Sequence, residues 1–295
     1  MRIIALPLTT RATNSRVSTN LLPLTYYHFQ SPSHKLDDKG KQNIVKRATS
    51  KAAETWAGFG KAPDGNWKRK VFVYGEKLID RIDFEELSLQ GIDPSLGPRT
   101  GKFGRGKTEK AEEKLLLQIP VFYPPSVDLG DDSLSPLPHM QLFFSKRTPH
   151  HRKGFYIWLI IAPLTAPFAL IPVIPNLPFF YAAWRAWSHY RAWKASAFMQ
   201  NLIESNHVVP QPSPELAELY ASNTSQRQHV DDKSEPGLDE AHLSLAKASS
   251  APPQPRLLLS SDAIPRIVAI FELPESAGAG IVRAIEQARV RINTS

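Results

Sequence analysis

A chain of 295 residues with a net charge of +8, a pI near 9.6 and a mean hydropathy of −0.29 has room for one or two domains, but its 26 prolines exclude a compact core throughout. Zero cysteines exclude disulfides, thiolate metal sites and cysteine nucleophiles. The basic residues are scattered and accompany no recognised binding motif, so nucleic acid is not the expected partner; anionic lipid or a mitochondrial interior suits the charge better.

Met1 to Gln30 contains Arg2, Arg11 and Arg16, is rich in Ser and Thr, and precedes the first acidic residue, Asp37. That is the composition of a mitochondrial targeting segment. It is not a secretory signal, because Ile3 to Leu8 is too short for an apolar h-region and is broken by Pro7. Arg2 to Leu8 and Leu24 to Phe29 also read as two strands of a small sheet, and an uncleaved segment can do both.

Gln42 to Ala57 is expected to be a helix stopped by Gly58 and Gly60. After the Pro63-Asp64-Gly65-Asn66 turn, Val71, Tyr74, Leu78, Ile82 and Leu89 recur at helical spacing and predict one amphipathic helix ending at Gly91. Its acidic residues, Glu76, Asp80, Asp83, Glu85 and Glu86, alternate with Lys77 and Arg81 and read as a solvated, self-neutralising face. Asp80 and Asp83 are close enough to share a metal or a proton, yet no histidine follows at ligand spacing.

Gly101 to Thr108 matches the phosphate-binding loop GxxxxGK[ST], with Gly101, Gly106, Lys107 and Thr108 at the specified positions. The mechanism needs a buried strand delivering the loop, and none precedes it, so the stretch reads as a basic, glycine-rich loop. Leu115 to Phe122 and Met140 to Phe144 look like short strands separated by a loop from Pro124 to Pro138. His150 and His151 cannot both face one ion from a helix, so these two, His189 and His207 are taken as interfacial basic residues and no metal site is expected.

Gly154 to Trp184 then runs without a formal charge, half as long again as the roughly 20 apolar residues that span a bilayer in helix. Pro163, Pro167, Pro172, Pro175 and Pro178 interrupt it. The expected form is a kinked transmembrane helix from Lys153 to Ile171, a turn over Pro172, Pro175, Asn176 and Pro178, and a second helix to Ser205. The second limb either returns through the bilayer as a hairpin or lies in the interface. Tyr156, Trp158, Tyr181, Trp184, Arg185 and Trp187 are the candidate interface anchors, and Asn176 with the proline-freed carbonyls is a candidate lining for a cation path in an oligomer.

Val208 to Pro255 is dominated by Pro, Ser, Ala, Gln and acids and reads as linker, with a short helix at Pro214 to Tyr220. Ser261 and Ser276 cap two C-terminal helices whose apolar residues, including Ile264, Ile267, Ile281 and Ile285, share a seam. The expected fold is thus α+β and mainly helical: an N-terminal α+β region over 1–145, a membrane segment over 146–205, a linker over 206–255 and a helical pair over 256–295.

Several stretches resemble the mitochondrial potassium-proton exchange-related family of fungal and plant proteins. They are MRIIALPLTTR from Met1, LTYYHFQ from Leu24, TWAGFGKAPDGNWKRKV from Thr55, the following EKLIDRIDFEELSLQGIDPSL, and PVIPNLPFFYAAWRAWSHYRAWKAS from Pro172. The resemblance implies the mitochondrial inner membrane and potassium-proton exchange across it, with no catalytic residues to carry over and no cofactor. No enzymatic activity is expected. An exchanger needs ionisable groups partway across the membrane. Only the phenols of Tyr156 and Tyr181 lie in the uncharged run, so an accessory or regulatory subunit is expected, partnered by the bilayer and by a membrane protein or further copies of itself. A scaffold or lipid-binding assembly factor is the alternative.

Overall fold

Ile3, Ile4, Ala5 and Leu6 are completely buried, and the strand they form is the hub of the fold. In this computed structural model, residues 1–10, 23–30, 44–92, 118–127, 135–165, 167, 177–231 and 255–294 are described. The strands are β1 (Arg2–Pro7), β2 (Thr25–Gln30), β3 (Ile119–Tyr123) and β4 (Val208–Pro212). They lie in the order β2-β1-β3-β4, with β2 antiparallel to β1 and the other pairs parallel. Pro210 and Pro212 fall on the edge strand β4, where a missing amide donor is tolerated.

The described helices are α1 (Ile44–Gly60), α2 (Trp67–Asp80), α3 (Phe84–Gln90), α4 (Leu137–Thr165), α5 (Leu177–Glu204), α6 (Pro214–Asp231), α7 (Ile264–Ile270) and α8 (Glu275–Thr294). Strand side chains alternate between faces, and both faces of this sheet are covered. Ile3, Ala5, Tyr27, Phe29 and Val121 pack on Met140, Phe143 and Phe144 of α4 and on Ala195, Met199 and Leu202 of α5. On the opposite face Ile4, Leu6 and Leu8 meet Phe84 of α3, Leu216 and Leu219 of α6, Ile267 of α7 and Ile281 and Ile285 of α8. The C-terminal seam read from the sequence is therefore buried against the sheet.

The chain divides into two compact units, one of them residues 32–83. Within it α1 and α2 join through an aromatic cluster in which Trp56 lies 5.3 Å from Phe72 and its indole donates to Glu76 Oε1 at 2.9 Å. Asn66 caps α2 by accepting from the Lys68 amide, and Gly65 supplies the positive φ of 93° that the preceding turn requires.

Three expectations are corrected. Met140 to Phe144 is helix within α4, because a short apolar run has no period of its own and here continues a helix that begins at Leu137. The amphipathic helix expected to run to Gly91 breaks after Asp80 and restarts at Phe84. Val208 onward forms β4 and α6 where the composition suggests linker.

The largest correction concerns the membrane-spanning segment. Among the described residues, no helix is long and apolar enough to cross a membrane. In α4 the charges end at Lys153 and the helix ends at Thr165, leaving about 18 Å of uncharged helix; in α5 the stretch before Arg185 measures about 12 Å. A hydrocarbon core is about 30 Å thick. The two helices instead form an antiparallel hairpin, with Trp158 against Tyr181 at 5.5 Å and Phe155 against Tyr190 at 5.5 Å. Toward the sheet each helix packs only one apolar face on the core, so its sequence mixes apolar with polar residues where a spanning helix would stay apolar.

His139 ties the hairpin base to the sheet. Its Nε2 donates to the Pro23 carbonyl at 3.1 Å, so Nδ1 accepts the Tyr27 hydroxyl at 2.5 Å. Burial lowers its pKa below 6.5, against the raising effect of the Pro23 carbonyl. The unfolded chain therefore takes up the proton first. The stability contributed is full above about pH 6.5 and is lost as pH falls toward the folded value, by about 1.4 kcal/mol for every pH unit between the two. Urea unfolding followed from about pH 7 to pH 5 is expected to show a shallower loss of stability in His139→Gln than in the wild type.

Candidate functional site

The segment after Arg81 places two glutamates, Glu85 and Glu86, in the first turn of α3. That turn starts with the Phe84 amide donating to Gln287 Oε1 of α8 at 2.9 Å, which anchors its entry. Both carboxylates are buried, at 6% and 4% exposure. Buried carboxylates are rare unless paired, and here each has cationic partners. Glu85 pairs with Arg147 of α4 and approaches Arg291 of α8 at 3.9 Å. Glu86 accepts from Arg185 Nη1 at 2.7 Å and Nη2 at 3.3 Å, and from Ser188 Oγ at 2.6 Å.

Arg185 reaches further. Its Nη2 also lies 3.0 Å from His189 Nε2, and His189 Nδ1 lies 3.2 Å from His151 Nδ1 across the hairpin. A guanidinium only donates, so His189 Nε2 accepts and the His189 proton sits on Nδ1, shared with His151 Nδ1. His151 then carries its own proton on Nε2. That atom is buried and meets no hydrogen-bond partner; such an omission costs about 1–3 kcal/mol.

The charge states follow from the surroundings. Burial would raise the Glu86 carboxyl, but hydrogen bonds from Ser188 and Arg185 and the charge of Arg185, joined by His189 only when that imidazole is protonated, hold it below its ordinary value. Burial pushes His151 down to about 4 despite the raising effect of Glu86, with His189, His150 and Arg147 adding to the decrease. His189 is lowered first by burial, opposed by Glu86 and assisted by Arg185 and His150. Near neutral pH the cluster is thus one carboxylate, one guanidinium and two neutral imidazoles. Glu86, His151 and His189 can present ligand atoms within 4.8 Å of one another.

Gly154 permits this packing. A Cβ added there would lie 2.8 Å from His189 Cε1 and Nδ1. Ala gains about 1 kcal/mol over Gly in a helix, whereas overpacking costs about 1–3 kcal/mol, and the imidazole is held on both sides. Gly154→Ala is expected to lower stability by about 1 kcal/mol in urea unfolding, the reverse of the helix-propensity effect.

Of the residues singled out by sequence, Arg185 enters this cluster. Tyr156 and Trp187 are exposed at 47% and 36%, while Trp158, Tyr181 and Trp184 form a chain of ring contacts at 5.5 and 5.8 Å. Pro178 lies in the first turn of α5. Pro172, Pro175 and Asn176 lie outside the described residues, as do Gly101, Gly106, Lys107 and Thr108. Glu86, His151 and His189 were not expected to form a site. A hairpin folded about residue 170 would have placed 151 opposite 189, which is the signal that could have found them. A cleft of about 240 Å³ lined by Tyr26, His28, Phe84 and Gly280 shares no residue with the cluster and is smaller than ordinary ligand pockets.

The family model described as mitochondrial K+-H+ exchange-related matches residues 2–203, a range that includes the whole cluster. An uncharacterized protein of Saccharomyces cerevisiae is 26% identical over 239 residues, covering 76% of this chain and 68% of its own length. An uncharacterized protein of Schizosaccharomyces pombe is 29% identical over 218 residues, covering 73% and 81% respectively. No solved structure matches.

Proposed function

We propose, from the premise that the chain belongs to the mitochondrial K+-H+ exchange-related family, that it serves this exchange at the inner membrane as an accessory or regulatory component rather than as the exchanger. The observation that carries the reading is the last turns of α4 and the first turn of α5, where Leu159, Ile160, Leu164 and Phe180 are 49%, 64%, 69% and 62% exposed. Large apolar side chains left this exposed mark an interaction site. Behind it lies a ring of aromatic and basic groups, with Arg152 and Lys194 over the Trp193 ring at 5.8 and 4.9 Å. That order, apolar helix ends then amphipathic aromatics and cations, suits shallow insertion at the headgroup level of an anionic membrane. The ion path itself, which needs ionisable groups between membrane-crossing helices, is assigned to a partner.

Passive swelling of isolated mitochondria in potassium acetate tests the reading. Mitochondria lacking the protein are expected to swell slowly, an artificial potassium-proton ionophore to restore swelling, and the Leu164→Glu/Phe180→Glu variant to fold yet fail to substitute for the wild type. Equal swelling with and without the protein would overturn the proposal. A respiratory defect that the ionophore does not cure would replace it with the assembly-scaffold reading.

A further inference from the structure

Three separate elements, α3, α4 and α5, each deliver one metal-ligating side chain to the same buried place: Glu86, His151 and His189, at 4%, 0% and 5% exposure. Two nitrogens at 2.0–2.1 Å from a tetrahedral zinc ion stand about 3.3–3.4 Å apart; the Nδ1 atoms of His151 and His189 are 3.2 Å apart. A single shared proton holds them there, in the place that a metal ion bound to both nitrogens would take. A cation already sits against it, because the Arg185 guanidinium contacts both Glu86 and His189.

We infer that Glu86, His151 and His189 form a binding site for a divalent transition metal of the zinc class. The donor set, two imidazoles and a carboxylate, is the combination that zinc accepts with a further position left open. Loading moves the proton shared by the two imidazoles from His189 Nδ1 to His189 Nε2, which can then no longer accept from Arg185, so Arg185 gives up His189 while keeping Glu86. Ion and guanidinium therefore compete, which sets the affinity below that of a site free of positive charge. The inference does not depend on a role in exchange, and its readouts are measured on the isolated protein.

The full chain, stripped with a chelator, is titrated with Co²⁺ and then Zn²⁺. One Co²⁺ per chain is expected, with the intense visible absorption of a four-coordinate ion, abolished by one equivalent of Zn²⁺. His151→Gln and His189→Gln are each expected to weaken Zn²⁺ binding at least about 100-fold, since even outer-shell changes cost 10–100-fold, whereas His28→Gln on β2 binds as the wild type does. No Co²⁺ absorption and no stoichiometric Zn²⁺ binding by the wild-type chain would overturn the inference whether or not the variants fold. Binding retained in both cluster variants would overturn it equally.

Discussion

Arg185→Met is expected to destabilise the protein by about 3–5 kcal/mol in chemical denaturation, because it leaves the Glu86 carboxylate buried without its cation. The side chains of Arg185 and Glu86 are 14% and 5% exposed, so water cannot replace the lost partner. Adding Glu86→Gln removes the uncompensated charge, and the double variant is expected to recover part of the loss through a coupling energy of about 0.5–3 kcal/mol. Recovery stays incomplete because Ser188 loses its strong acceptor and His189 Nε2 its donor. If the single and double variants unfold at the same denaturant concentration, the pair does not hold α3 to α5.

Deletion of residues 1–10 is expected to abolish folding altogether. β1 is an inner strand of the sheet, paired with β2 on one side and β3 on the other. Ile3 on one face of the sheet and Ile4, Leu6 and Leu8 on the other are fully buried. At about 1.5–3 kcal/mol for each large apolar side chain, their burial contributes roughly 6–12 kcal/mol, as much as the whole stability of an ordinary domain, about 5–15 kcal/mol. Circular dichroism and size-exclusion chromatography of the truncated chain report the outcome. A native-like spectrum and elution volume would show that β2 and β3 can pair without β1. The targeting composition of Met1 to Gln30 and the places of β1 and β2 in the sheet are compatible only if these strands are retained in the folded protein.

The residues behind these effects were not equally legible. The pairing of Arg2 to Leu8 with Leu24 to Phe29 was readable, because short apolar runs bounded by proline and polar residues have few other uses. The C-terminal helices were readable from Ile281 and Ile285 at helical spacing, but not from the expected caps: α7 starts at Ile264 without a side-chain cap, and Ser276 lies inside α8, which starts at Glu275. Met140 to Phe144 was not, since five residues without a period fit strand or helix equally well. Glu85 and Glu86 were misread for a related reason: acidic residues beside Lys77 and Arg81 resemble a solvated face, and their actual partners, Arg147 and Arg185, lie tens of residues away.

The uncharged run from Gly154 to Trp184 shows where local reading ends. Its composition specified two apolar limbs separated by prolines, and the described ends of those limbs do pack antiparallel. Whether they cross a bilayer depended on where each helix enters the sheet's core, which composition does not encode. By itself the sequence determined the elements with strong local signals and the family, because backbone preference and apolar periodicity act over a few residues. Only the tertiary structure decided that His151 meets His189 and that Arg185 turns to Glu86, because desolvation and ion pairing depend on distance in space and not on separation along the chain.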